Sequence, residues 1–157
     1  RQVSELVKQQ LADIGVEVKI RVIEWASFVH EFIDKRRFEA VLLGWSLSRD
    51  PDLYDIFHSS KTKEGEYNFV GYANPDVDRL LVEGRRTFDQ AKRQVIYRQV
   101  HRRLAEDQPY VFLYVPDALP IVASRLRNVV ATPIGISYNF IDWYVPTAEQ
   151  RYRRMAP

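Results

Sequence analysis

The sequence predicts an α/β fold: a mixed, mainly parallel sheet flanked by helices. Three observations carry this. Helical spacing gives way to strict alternation at Gly15, a second helical pattern follows, and a short unbroken apolar run closes the unit. Helix, strand, helix, strand in that order implies a parallel pair joined by a right-handed crossover.

The elements follow in chain order. Val3, Leu6, Val7, Leu11 and Ile14 fall at helical spacing, and Gly15 stands where a left-handed C-terminal cap needs it. From Val16 the period becomes two: Val16, Val18, Ile20 and Val22 alternate with Glu17, Lys19 and Arg21, as in a strand with one face buried. Ser27 is the expected cap of a second helix with Phe28, Val29, Phe32 and Ile33 inward and Lys35, Arg36 and Arg37 at its end. The run Ala40 to Trp45 reads as a strand covered on both faces.

Beyond Trp45 the chain turns polar through Ser46, Ser48, Arg49, Asp50, Pro51 and Asp52 before a short amphipathic piece with Leu53, Tyr54, Ile56 and Phe57. Residues 59–72 read as a surface loop. Asn74-Pro75 is a cap with a first-turn proline, opening a helix with Val77, Leu80 and Leu81 inward. A longer helix is expected from about Asp89 to Ala105, with Ala91, Val95, Ile96, Val100 and Leu104 on one side and Pro109 closing it. Tyr110 to Val115, Leu119 to Ala123 and Tyr138 to Val145 are strand-like. The terminal residues with Arg151, Arg153 and Arg154 lack an apolar face and read as a tail over 147–157.

Composition narrows the function classes. With 157 residues, 46% hydrophobic and 28% charged, the chain suits an ordinary globular core and fits neither disorder nor a fibrous repeat. The net charge of +2 is too small to argue for nucleic acid, and Arg98, Arg102 and Arg103 are interleaved with Glu106 and Asp107 as on a solvated helix face. Without cysteine there is no disulfide framework, Cys zinc site or Cys nucleophile. No apolar run approaches the roughly 20 residues that cross a bilayer. The chain opens at Arg1 directly into helical periodicity, which reads as a piece of a longer protein.

Five local patterns carry a resemblance. They are Gln9-Gln10-Leu11-Ala12-Asp13-Ile14-Gly15-Val16-Glu17-Val18; Glu24-Trp25 with Phe28; Phe38-Glu39-Ala40 leading to Gly44-Trp45 and Asp50-Pro51; Tyr67-Asn68 with Gly71 to Leu81; and Lys92-Arg93, Tyr97 and Leu104 to Tyr110. In this order they resemble the C-terminal lobe of the family 5 extracellular solute-binding proteins, which serve dipeptide, oligopeptide and nickel ABC transporters. The resemblance implies a periplasmic-binding-protein-like (type II) lobe over residues 1–146. It also implies a missing N-terminal lobe of the same chain, a peptide or similar small solute in the cleft between lobes, and an ABC permease in the membrane as partner. The expected location is periplasmic or extracellular, free or lipid-anchored. No cofactor, metal or nucleic acid is expected, and no enzymatic activity.

The expected ligand-binding residues are Trp25, Trp45, Ser46, Ser48, Arg49 and Asn68. Each tryptophan ends a predicted strand, where open α/β sheets hold ligands. By residue type alone both read first as core aromatics; the resemblance reverses this and implies that they line the ligand chamber. It further implies that Ser48 stands where peptide-binding members place an aspartate for the ligand's amino group. Phe32 and Ile33 occupy the region where some members place an arginine for the ligand carboxylate. A neutral, glycosidic or blocked solute is then favoured over a zwitterionic peptide, provided the missing lobe does not supply the charges. Asn68 reads either as a ligand contact or as a turn asparagine bonded to its own backbone.

Three other readings were weighed. His30, His58 and His101 lie far apart without a carboxylate at metal-ligand spacing. Asp50 and Asp52 suggest a carboxylate pair for glycoside hydrolysis, though capping explains Asp-Pro-Asp at a helix start. The same fold could also serve as the ligand-sensing domain of a regulator.

Overall fold

The structure, a computed structural model, describes residues 2–133 and 135–151. These fall into two compact units divided between Val111 and Phe112, inside the stretch read from sequence as one lobe.

In the first unit, α1 spans Gln2–Ala12. Its end is a Schellman turn: Val16 N–H donates to Leu11 O at 3.0 Å and Gly15 N–H to Ala12 O at 3.0 Å. Gly15 takes φ +83°, so the glycine read as a cap is one. The second helix begins at α2, Trp25–Ser27, and continues as a π-helical stretch, Phe28–Ile33. Its cap is not Ser27, as expected. Glu24 fills that role, its carboxylate accepting from Ala26 N–H at 3.0 Å and Ser27 N–H at 3.1 Å. A carboxylate placed just before a helix reaches two free N–H groups at once, which a mid-turn serine cannot match.

Then come α3, Tyr54–Phe57, a short 3₁₀ turn at Ser59–Lys61, α4, Pro75–Arg86, and α5, Gln90–Asp107. Asn74 caps α4 through Asp76 and Val77 N–H groups with Pro75 in the first turn, as its dipeptide predicts. Val77, Leu80, Leu81 and Gly84 at helical spacing form the buried stripe of α4. They meet Ile96, Tyr97, Val100 and Leu104 of α5, with Leu53, Ile56 and Phe57 from α3 and its approach completing the core. Full burial of a side chain such as Leu81 contributes about 1.5–3 kcal/mol. Ala91 and Val95, expected on the inner face of α5, are exposed, and Tyr97 is buried instead. Gly84 permits this close approach, since a Cβ there would lie 2.9 Å from the Tyr97 ring.

The expected sheet is not formed among the described residues. Residues 16–24 and 40–48 carry no ladder, and Val22 and Leu42 are exposed. Alternation specifies which face a strand would bury, but a strand exists only where a second backbone aligns to pair with it. The runs at 110–115 and 119–123 are likewise irregular.

In the second unit the expected strand Tyr138 to Val145 is mostly a 3₁₀ segment, Ile136–Asp142. Asn139 holds it there, donating to Asn128 O at 2.7 Å and accepting from the Trp143 indole N–H at 3.1 Å. Only Tyr144 pairs as a strand residue, in a single antiparallel bridge with Arg127. The expected tail starts within an ordered turn, Thr147–Glu149, where Glu149 meets Arg127 at 2.7 Å. Arg153 and Arg154 lie outside the described residues.

Candidate functional site

The most developed aromatic feature of the first unit centres on Trp45. Its ring stacks on Phe69 with centroids 5.9 Å apart and meets Tyr67 edge-on at 5.6 Å. Phe69 in turn stacks on Tyr110 at 6.3 Å and takes Phe38 edge-on at 6.2 Å, while Tyr110 packs on Phe57 of the helical core at 5.2 Å. Trp45 remains 37% exposed and Tyr67 58%, above a Phe69 that is only 6% exposed. The result is an indole and a phenol presented to solvent on a rigid aromatic base. Burial pushes the Tyr110 hydroxyl's pKa up, and the Trp45 side chain, through its hydrogen bond, partly offsets that.

Asn68 explains why Tyr67 and Phe69 sit together. Its side chain is fully buried, donating to His58 O at 3.1 Å and Tyr72 O at 2.8 Å and accepting from Tyr72 N–H at 3.0 Å. The residues on either side therefore present their rings to Trp45. Of the two roles open to Asn68, this geometry matches the backbone-satisfying one. Residues 59–72 are thus anchored by a buried amide instead of lying on the surface throughout, with Phe69 also buried.

Behind Trp45, Ser46, Ser48 and Arg49 are all exposed, and the Ser48 hydroxyl makes only a long contact of 3.4 Å to Asp50 O. Asp50 and Asp52 face the helices. Arg93 grips Asp50 through two hydrogen bonds of 2.6 and 2.9 Å, and Arg85 Nε meets Asp52 at 2.7 Å. The Arg93 hydrogen bond holds the Asp50 carboxyl below the usual aspartate range. Each carboxylate also accepts a backbone N–H, Asp52 N–H at Asp50 and Tyr54 N–H at Asp52. Both serve to fix the turn.

Trp25 stands in a different setting. It is 64% exposed, contacts Phe28 at 5.9 Å within its own helix, and follows the capping Glu24, whose carboxyl pKa the Ala26 and Ser27 N–H groups lower. Its ring contact is separate from the Trp45 cluster.

Tyr67 also borders a hollow of about 220 Å³ lined by Asp55, Lys61, Gly65 and Glu66. Lys61 lies between Asp55 at 3.5 Å and Glu66 at 3.7 Å. His58 stacks on Tyr54 at 4.1 Å, and its Nδ1 accepts from Ser60 N–H at 3.1 Å. The Ser60 hydroxyl at 2.8 Å and Asp78 at 3.9 Å approach that same nitrogen. Among the described residues no group of three His, Asp or Glu side chains is placed to hold a metal ion.

Phe69 and Arg85 carry no role in the sequence reading, and Arg93 and Tyr110 enter it only as parts of motifs, as does Tyr67 beside Asn68. The available signal was the spacing of Tyr67 and Phe69, two apart on either side of an asparagine.

The solved structures that the chain resembles are peptide-binding proteins of the type II binding-protein fold. The oligopeptide-binding protein AppA of Bacillus subtilis, solved with a nonapeptide, superposes with a TM-score of 0.74 at 38% identity, covering 92% of this chain and 29% of that one. DppA from Helicobacter pylori, an ABC transporter-associated periplasmic binding protein in complex with peptide STSA, gives 0.65 at 27% identity over 70% of this chain and 22% of its own.

In sequence, AppA is 37% identical over 144 residues, 91% of this chain and 26% of the relative. Protein XP55 of Streptomyces lividans is 38% identical over 114 residues, 71% of this chain and 20% of its own. A scan against protein-family profiles finds no match. The chain is a homologue of the oligopeptide- and dipeptide-binding proteins, the family 5 solute-binding proteins, as its motifs had indicated. It spans about a quarter of the length of the curated relatives it matches.

Proposed function

We propose that this chain is the C-terminal lobe of the substrate-binding component of an ABC importer. It binds a peptide or similar small solute against a second, N-terminal lobe and delivers it to a membrane permease. The observation that carries this reading is the exposed Trp45–Tyr67 ledge on its buried aromatic base. A rigid aromatic surface with few fixed polar groups suits ligands that vary in side chain. The names of the relatives support it: they are oligopeptide-, di/tripeptide- and glutathione-binding proteins.

The mechanism is closure. A ligand that touches both lobes stabilises the closed state over the open one, and the permease recognises the closed form. Ligand contacts come from Trp45, Ser46, Ser48 and Arg49, with Trp25 on a separate part of the lobe. Asn68 acts indirectly by holding Tyr67 and Phe69. No covalent chemistry is required, and the protein works outside the cytoplasm, periplasmic or extracellular, with or without a lipid anchor. No helix among the described residues is long and apolar enough to cross a membrane.

Mass spectrometry of small molecules released on denaturing the full-length protein tests this. Recovery of peptides supports the reading; a full-length protein that releases none and binds none on titration refutes it.

A further inference from the structure

We infer that the loop 46–49 selects a carboxylate: Arg49 receives an anionic group of the ligand while Trp45 and Tyr67 hold an apolar side chain next to it. The inference rests on the reading of Trp45 as a ligand-binding surface and adds the sign of charge accepted there.

The charges of the loop are unevenly committed. Its two acids are spent on the helices, Asp50 on Arg93 of α5 and Asp52 on Arg85 of α4. Arg85 and Arg93 are held in turn by stacking, with guanidinium carbons 4.0 Å from the Tyr54 ring centroid and 5.1 Å from that of Tyr97. The cation just before the two acids, Arg49, makes no ion pair among the described residues and is exposed. Two exposed hydroxyls, Ser46 and Ser48, precede it. The outward face of the loop therefore carries one fork of N–H donors, two hydroxyl donors and no uncompensated anion.

A ligand ammonium placed here meets a cation with no acid to offset it. A carboxylate meets a guanidinium, the partner whose planar fork matches it in charge and geometry. Reach is adequate: four residues of extended chain span at most about 14 Å, so a side chain on Trp45 and a carboxylate on Arg49 fit within one short peptide. The carboxylate can be a C-terminus or an acidic side chain; both present the same chemistry.

The test is competitive capture by the full-length protein from an equimolar mixture of short phenylalanine-containing peptides. One arm is acetylated with a free C-terminus, one acetylated and amidated, one acetylated and amidated with an internal Asp, and one amidated with a free amino group. Bound peptide is quantified by mass spectrometry for wild type, Arg49→Gln and Arg49→Lys. Wild type should enrich one or both carboxylate arms about tenfold over the neutral arm, a difference of about 1.4 kcal/mol, with the cationic arm weakest. The arm enriched tells C-terminus from side chain. Arg49→Gln should abolish the preference and Arg49→Lys should keep part of it.

Capture of all arms alike, or a preference that Arg49→Gln leaves intact, overturns this inference and leaves the peptide-binding reading standing. Capture of none overturns both.

Discussion

The Arg93 guanidinium grips the Asp50 carboxylate with two hydrogen bonds of 2.6 and 2.9 Å, tying the loop after Trp45 to the first turn of α5. Arg93 Nε donates at the same time to Gly84 O at 3.0 Å, so one side chain links the loop, the end of α4 and α5. The loop that presents Ser46, Ser48 and Arg49 is therefore braced on the packed pair α4 and α5.

This brace is pH-dependent, and the direction follows from the pair. Arg93 lowers the Asp50 pKa in the folded state, so the contribution is present above the unfolded aspartate value of about 4 and is lost as pH falls through the lower folded value. Because Asp50 is half exposed, solvent screening limits the contribution to about 1 kcal/mol. Asp50→Asn should lower the denaturant midpoint at neutral pH, and the gap to wild type should close in acid. Equal gaps at both pH values would show that the pair contributes through packing alone.

Gly84→Ala tests how tightly α4 and α5 approach. The added methyl would sit 2.9 Å from the buried Tyr97 ring, which Arg93 covers. Overpacking costs about 1–3 kcal/mol, and the better helix propensity of alanine returns at most about 1. A net destabilisation is expected in chemical denaturation, and it should shrink when measured in a Tyr97→Leu background.

Asn68 supports the ledge from beneath. Asn68→Ala strands Tyr72 N–H and two carbonyls in a buried site, for an expected loss of about 3 kcal/mol. Asn68→Asp would point a carboxylate at His58 O and Tyr72 O, raising its pKa. Its destabilisation should be greatest at neutral pH and ease as acid protonates the group. Denaturation of both variants across pH checks this.

How much of this was legible in the sequence depends on whether the determinant is local. The Gly15 cap, the Asn74-Pro75 helix start and the buried face of α4 each depend on contacts within one or two turns, and short patterns encode those. The cap of the second helix was misassigned because Glu24 and Ser27 both precede apolar residues, and only geometry shows which one reaches free N–H groups. The predicted strands failed for a different reason: pairing needs a second backbone, which alternation cannot supply.

Trp45 stands out in the sequence because it ends an apolar run. Its partners Tyr67, Phe69 and Tyr110 come from distant segments, and the spacing of Tyr67 and Phe69 around Asn68 does not say which ring they meet. Asp50 and Asp52 could be read as catalytic because their partners lie 43 and 33 residues away. The homology, by contrast, was legible from motifs at the joints between elements, where caps and turns restrict residue choice.

The central claim is that Trp45 heads a peptide-binding surface. Titration of the full-length protein with its co-purifying peptide, comparing wild type with Trp45→Leu, tests it most directly. Leucine keeps apolar cover over Phe69 but removes the broad indole face. The account predicts affinity at least about tenfold weaker with thermal stability nearly retained. Unchanged affinity in a folded Trp45→Leu protein would contradict it.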